Sequence, residues 1–144
     1  MSACVIDASA VLAHLLGERG GDVALSWIDR GAAISTANAQ EVLARLVDLD
    51  IRNGRDPEKA TSDAARDFAD LNLAVFDLTL EDAIEAASLA PLQRSHGMSA
   101  GDRCCLALGR RLGLPVVHAE QRWQPLEESL GQELVLVREA RTKS

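Results

Sequence analysis

Tyrosine is absent from this 144-residue chain, and two tryptophans and two phenylalanines supply all of its aromatic rings. A surface that stacks successive bases needs more rings than that, so a base-stacking platform for single strands is excluded. Positive charge is also short. Fifteen Lys and Arg stand against 22 Asp and Glu, a formal net charge of −7. Proteins that grip nucleic acid through its phosphates carry the opposite balance. If a polyanion is the substrate, bound cations must offset the repulsion and contact must be local; a cationic partner is the other natural consequence. No apolar run approaches the roughly 20 residues of a membrane-crossing helix. The first apolar run stops at Asp7 with no basic segment before it, unlike a signal peptide, so a cytoplasmic location with no membrane partner is expected. Cysteine is scarce as well. Cys104 and Cys105 are adjacent and Cys4 is distant, without C-x-x-C spacing, which predicts reduced, buried thiols.

What the chain does contain is ordinary for a globular protein: 47% hydrophobic and 26% charged residues. With no internal repeat, low-complexity tract or linker, the expectation is a single domain over residues 1–138 and a polar tail over 139–144. The organising stretch is Ala3–Ala10. Cys4, Val5 and Ile6 form an apolar run too short for a helix and right for a strand buried on both faces. Asp7 ends it, and Ala8–Leu16 reads as a helix.

A second helix follows Gly20-Gly21 over Val23–Arg30 and stops at Gly31. Ala32–Ser35 reads as a strand. The next helix starts near Thr36 or Asn38, both plausible caps, and reaches Asn53-Gly54 with Val42, Leu43, Leu46, Val47 and Leu49 at helical spacing. Asp56-Pro57 opens another helix to about Leu71, and Leu73–Leu78 is a third strand. Thr79 caps a helix predicted to continue to about Arg94, with Pro91 bending or shortening its end. Ser95–Gly101 reads as a loop, and a helix runs through Leu112 to Gly113. Pro115–His118, a short acidic helix Pro125–Leu130 and a final strand Glu133–Val137 complete the pattern. Strands alternating with helices predict an α/β domain with a parallel sheet covered on both faces.

Four acids then occupy related places. Asp7, Glu41, Asp102 and Glu120 each lie just beyond a strand or in the first turn of a helix. Parallel topology brings such points to one edge of the sheet, where open α/β folds bind ligands. Carboxylate oxygens with room for water are the ligands that Mg²⁺ and Mn²⁺ take, and two such ions can serve phosphodiester cleavage. Acids also suit the first helical turn through the helix dipole alone, which accounts equally for Glu41 and Asp102. Asp7, following a buried strand, is costly without a partner. Together the four point further than any one of them.

The words around these acids resemble the PIN-domain ribonucleases, particularly the VapC-type toxins of bacterial toxin–antitoxin pairs. They are Val5-Ile-Asp-Ala-Ser-Ala10, Ser35-Thr-Ala-Asn-Ala-Gln-Glu-Val42, Ser99-Ala-Gly-Asp-Arg-Cys-Cys-Leu-Ala-Leu108 and Gly113-Leu-Pro-Val-Val-His-Ala-Glu-Gln-Arg-Trp123. The resemblance covers nearly the whole chain. It implies a three-layer α/β/α domain with a central five-stranded parallel sheet, a Mg²⁺ (or Mn²⁺) cofactor and endonucleolytic RNA cleavage by a metal-activated water. By position Asp7, Glu41 and Asp102 match the family's best-kept acids. Glu120 falls where members carry Asp and His118 where they carry Thr, a departure that bears on a second metal.

The resemblance further implies a cognate antitoxin whose terminal segment would block the acids, and a homodimer or a toxin–antitoxin hetero-oligomer. The apolar helices Leu12–Leu16 and Leu43–Leu49 are candidates for its groove, although such stripes are more commonly core. Supporting residues divide between two roles each. Ser9, Asn38 and Ser99 either cap helices or hold carboxylates and water. His118 either contacts a metal water or phosphate or sits in ordinary strand-end contacts. Arg103 and Arg122 either grip phosphate or form surface ion pairs. The rival from another class is a catalytically impaired PIN-like module that only binds protein. A phosphatase with Asp7 as nucleophile would want a second acid where Ser9 stands.

Overall fold

Cys4–Ile6 forms β1, the middle strand of a five-stranded, fully parallel sheet. The computed structural model describes residues 1–138; the expected tail 139–144 lies outside the described residues. Strand order is β3-β2-β1-β4-β5, with β2 at Ala32–Ser35, β3 at Ala74–Phe76, β4 at Val116–His118 and β5 at Leu134–Leu136. In register, Cys4 faces Ala32 on one side of β1 and Val5 faces Val116 on the other.

Alternation along each strand divides the core into two layers. Cys4, Ile6, Ala32, Ile34 and Val117 face one side and pack against α1 (Ala8–Leu15), α2 (Gly21–Asp29), α3 (Thr36–Arg52) and α4 (Pro57–Ala69). Val5, Ala33, Val116 and Leu134 face the other side. They meet α7 (Ala100–Leu112), a 3₁₀ turn (Gln121–Leu126) and apolar residues around α6 (Pro91–His96) and α8 (Glu127–Leu130). The expected α/β/α architecture with a five-stranded parallel sheet is thus what the chain adopts. The three thiols are free and buried.

Several boundaries differ from the sequence reading for local reasons. The cap of α3 is Ser35, whose Oγ accepts the Ala37 N–H at 3.2 Å, rather than Thr36 or Asn38. Both of those side chains have other partners: Asn38 is buried, and Thr36 Oγ1 accepts the Leu78 N–H at the surface, tying the start of α3 to the segment after β3. The Thr79-capped helix α5 (Leu80–Ser88) ends before Pro91, which begins α6 instead of bending α5. A proline lacks an N–H and fits the first position of a helix better than its interior. The acidic helix begins earlier than expected, as the 3₁₀ turn, and becomes α-helical only from Glu127.

Candidate active site

Every strand ends at the same edge, so Asp7 follows β1 and Glu120 follows β4; α3 leaves β2 carrying Glu41 in its second turn rather than the expected first, because the helix begins already at Thr36. Helix α7 must return to the start of β4, so it begins at that edge, with Asp102 in its first turn.

Asp7 is buried and caps α1. One oxygen, Oδ2, accepts the Ser9 N–H at 3.0 Å and the Ser9 hydroxyl at 2.6 Å. The other, Oδ1, is buried with no hydrogen-bond partner. Burial above all, then the Asp102 charge and to a smaller degree Glu41, push the Asp7 carboxyl up to about 7, against the opposing pull of the Ser9 bonds. Glu41 is raised by burial and by Asp102. Asp102 is raised by burial and by Glu120, while its bonds to Ser99 and the Arg103 charge oppose the rise. The four acids therefore lie within electrostatic reach as a chain of neighbours, Asp7 and Glu41 to Asp102, and Asp102 to Glu120.

Local devices hold them. Ser99 and Asp102 form a capping box: Asp102 Oδ2 accepts the Ser99 N–H at 2.8 Å and Ser99 Oγ accepts the Asp102 N–H at 3.3 Å. Ser9 Oγ, besides donating to Asp7, accepts the Ala119 N–H at 3.1 Å, which ties the start of α1 to the residue before Glu120. Asn38 is fully buried, with its carboxamide bonded to the Ala8 N–H and the Gly101 carbonyl. His118 is buried too. Its Nδ1 accepts the Glu120 N–H at 3.1 Å, which leaves the proton on Nε2 to donate to Gln124 Oε1 at 3.0 Å. Its ring stacks on Trp123 at 4.9 Å, and burial lowers its pKa, keeping it neutral.

The arginines are placed differently from the acids. Arg103 reaches across to the Ala86 carbonyl and Gln93 Oε1, joining α7 to α5 and α6, with its Nε buried and unpaired. The Arg122 guanidinium lies against Gly97.

Gly101 was not singled out from the sequence. A Cβ there would collide with the Glu41 carboxylate. A glycine in the first turn of a helix, where no left-handed backbone demands it, was the available signal. Gln124 and Trp123, the partners of His118, carry no sequence signature of that role.

Among the described residues no three carboxylate, imidazole or thiol groups stand close enough together to hold a metal ion as they are. The donor set nevertheless suits a hard divalent cation: an unpaired buried oxygen on Asp7, neighbouring carboxylates that raise one another's pKa, and a backbone left bare at Gly101 where Glu41 enters.

The model of the PIN domain family matches residues 4–128. No protein with a curated description matches significantly. Among solved structures, a toxin–antitoxin complex from Klebsiella pneumoniae is similar with a TM-score of 0.66 and 14% identity, covering 95% of this chain and 99% of that one. DNA-bound VapBC from Salmonella typhimurium gives 0.64 and 14%, covering 96% and 100%. VapBC-5, a VapBC-family toxin–antitoxin system from Mycobacterium tuberculosis, gives 0.61 and 19%, covering 94% and 99%. At these identities the likeness is one of fold.

Proposed function

This chain belongs to the PIN-domain family, and on that premise we propose that it is a Mg²⁺- or Mn²⁺-dependent endoribonuclease, the VapC-type toxin of a toxin–antitoxin pair. The observation that carries the reading is Asp7 Oδ1, a buried carboxylate oxygen without a donor, on a carboxyl that feels the charges of Asp102 and Glu41. Burying such a group unpaired is costly unless it serves a bound cation. Asp7, Glu41 and Asp102 would hold a divalent ion, with Glu120 at a second ion or at a water. When bound, the ion supplies Lewis-acid charge that lowers the pKa of water and offsets charge developing on the phosphodiester.

The chain's own groups prepare for this. The Ser9 hydroxyl and N–H occupy Asp7 Oδ2, so Oδ1 is the oxygen left to carry a proton in the cation-free protein and to shed it when a cation is present. The capping box turns Asp102 Oδ2 back to Ser99, leaving its other oxygen for the site. His118 fixes the backbone of Glu120 through a neutral ring nitrogen, so the acid's anchor does not depend on that ring being charged. With a net charge of −7, attraction for RNA must come from the loaded site and not from a basic surface.

The antitoxin, the oligomeric state and the cytoplasmic setting belong to the same proposal. It is supported by an apolar groove on α3 lined by Leu43, Val47 and Ile51, and by Leu16 and Val23, apolar and exposed near α1 and α2. Leu12, Leu15 and Leu46, from the same stripes, pack against the core. An antitoxin segment bearing a basic side chain at the acids would suit their charge. A second reading, a catalytically impaired protein-binding module, is favoured by Glu120 alone: it is exposed, and one methylene longer than the Asp of the family pattern.

The deciding experiment is Mn²⁺ titration by calorimetry with RNA cleavage on the same preparation. The reading expects binding, cleavage abolished by excess EDTA, and loss of both in Asp7→Asn. Binding of an antitoxin by protein that takes up no Mn²⁺ would instead establish the second reading.

A further inference from the structure

Asn38 lies on the inner side of α3, one turn before Glu41, with no solvent exposure. Its Oδ1 accepts the Ala8 N–H at 3.0 Å, and its Nδ2 donates to the Gly101 carbonyl at 2.8 Å. Ala8 directly follows Asp7, and Gly101 directly precedes Asp102. One carboxamide therefore joins three helix starts, each bearing an acid: α1 capped by Asp7, α3 carrying Glu41, and α7 carrying Asp102.

The chemistry of the position is restrictive. Holding an N–H and a C=O at once takes a side chain with an acceptor and a donor set apart, and the short carboxamide of asparagine supplies both. Glutamine would add a methylene to a site already closed. An N-terminal cap would need the side chain to accept from its own helix, and Ser35 already fills that role. The bonds of Asn38 span 30 and 63 residues of sequence instead, so they set tertiary spacing rather than local structure.

The two helix starts it joins belong to opposite layers. Helix α1 packs on one face of the sheet and α7 on the other. The Asn38 carboxamide is a direct polar link between them, through the Ala8 N–H and the Gly101 carbonyl.

We propose that Asn38 is a positioning residue of the acid cluster, whose carboxamide sets the spacing of Asp7 and Asp102 around Glu41 by bridging Ala8 and Gly101. The inference rests on the ribonuclease reading for its consequence, metal affinity, but not for the bridge itself.

The test has a metal-free arm and a metal arm. In the wild-type protein without metal, the Asn38 Nδ2 protons, followed by ¹⁵N NMR, should exchange at least about 10-fold more slowly than those of an exposed asparagine. Exchange at the free-amide rate means that the bridge is not closed and overturns the proposal. For the second arm, Asn38→Leu keeps bulk and loses both bonds, and Asn38→Ala provides a smaller alternative. Each is titrated with Mn²⁺ by calorimetry well below its Tm. The expected result is affinity weakened about 10-fold or more, the scale on which ligand-orienting partners act. Leu46→Ala, a core variant two turns along α3, should lower Tm while leaving Mn²⁺ affinity unchanged. Wild-type affinity in a folded Asn38 variant, or an equal loss in Leu46→Ala, overturns the proposal. If wild-type protein itself binds no Mn²⁺, the ribonuclease reading fails, and the amide-exchange arm still decides the bridge.

Discussion

Gly101 faces Glu41 so closely that a single Cβ on it would occupy the space of the carboxylate. The clash is with the far end of a flexible side chain, so Gly101→Ala should fold. Alanine in a helix is favoured over glycine by about 0.5–1 kcal/mol. We therefore expect unchanged or slightly higher Tm together with a loss of Mn²⁺ affinity and of cleavage of about 10-fold or more, because Glu41 is turned away. A variant that loses both stability and activity would mean the glycine serves packing alone. Paired melting and titration curves read the difference.

The carboxyl of Asp7 stands at about 7 in the folded protein against an ordinary 3.8. A folded-state pKa above the unfolded value means the folded protein holds the proton more tightly. The corresponding stability is complete in acid and is lost as pH rises through 7. Burial moves His118 the other way, so its stability contribution is lost as pH falls below its ordinary 6.5. Between pH 6.5 and 8 the Asp7 carboxyl completes its titration, and the raised Asp102 and Glu41 carboxyls act in the same direction. There the metal-free protein should lose about 1 kcal/mol, or roughly 3 °C in Tm. Asp7→Asn should flatten that slope, and Mn²⁺ should restore wild-type Tm at pH 8. Thermal melts at fixed ionic strength check all three.

Ser9 Oγ links Asp7 Oδ2 to the Ala119 N–H. Ser9→Ala leaves that buried N–H without its acceptor, at a cost of about 1–3 kcal/mol. It also removes the hydroxyl bond that holds the Asp7 pKa down. The acidic limb of the pH–rate profile should then move to higher pH. A profile that keeps its midpoint while Tm falls would confine Ser9 to a structural role.

His118→Leu keeps apolar bulk beside Trp123 but strands Gln124 Oε1 and releases the Glu120 N–H. Expected are a stability loss of about 1–3 kcal/mol and a changed near-ultraviolet circular dichroism signal from Trp123. A larger loss in kcat than in KM should accompany them, because Glu120 is loosened while the other acids stay. Denaturant titration and steady-state kinetics measure the two effects.

Much of the frame was legible in the residues. Asp56-Pro57, Thr79 with Asp82, Ser99 with Asp102, and Gly113 mark helix ends through local chemistry, and each acts where the sequence placed it. Where two local signals competed, legibility failed. Ser35, Thr36 and Asn38 are all competent caps, and only packing decides which is free to face its own helix. Pro91 reads from the sequence as bending or shortening one helix; it begins another instead, where its missing N–H leaves nothing unsatisfied.

The candidate site divides along the same line. The residues by themselves made legible a parallel sheet and a common edge for Asp7, Glu41, Asp102 and Glu120, because strand alternation and helix-start chemistry act over a few residues; the strand order came from the structure. Tertiary structure alone decided that Asp7 keeps one oxygen unpaired, that Asn38 bridges two helix starts, that His118 turns both ring nitrogens inward, and that Gly101 makes room for Glu41. The Asn38 bridge and the Ser9–Ala119 bond join segments 30 to 110 residues apart, and no short-range pattern encodes a distance across the sheet.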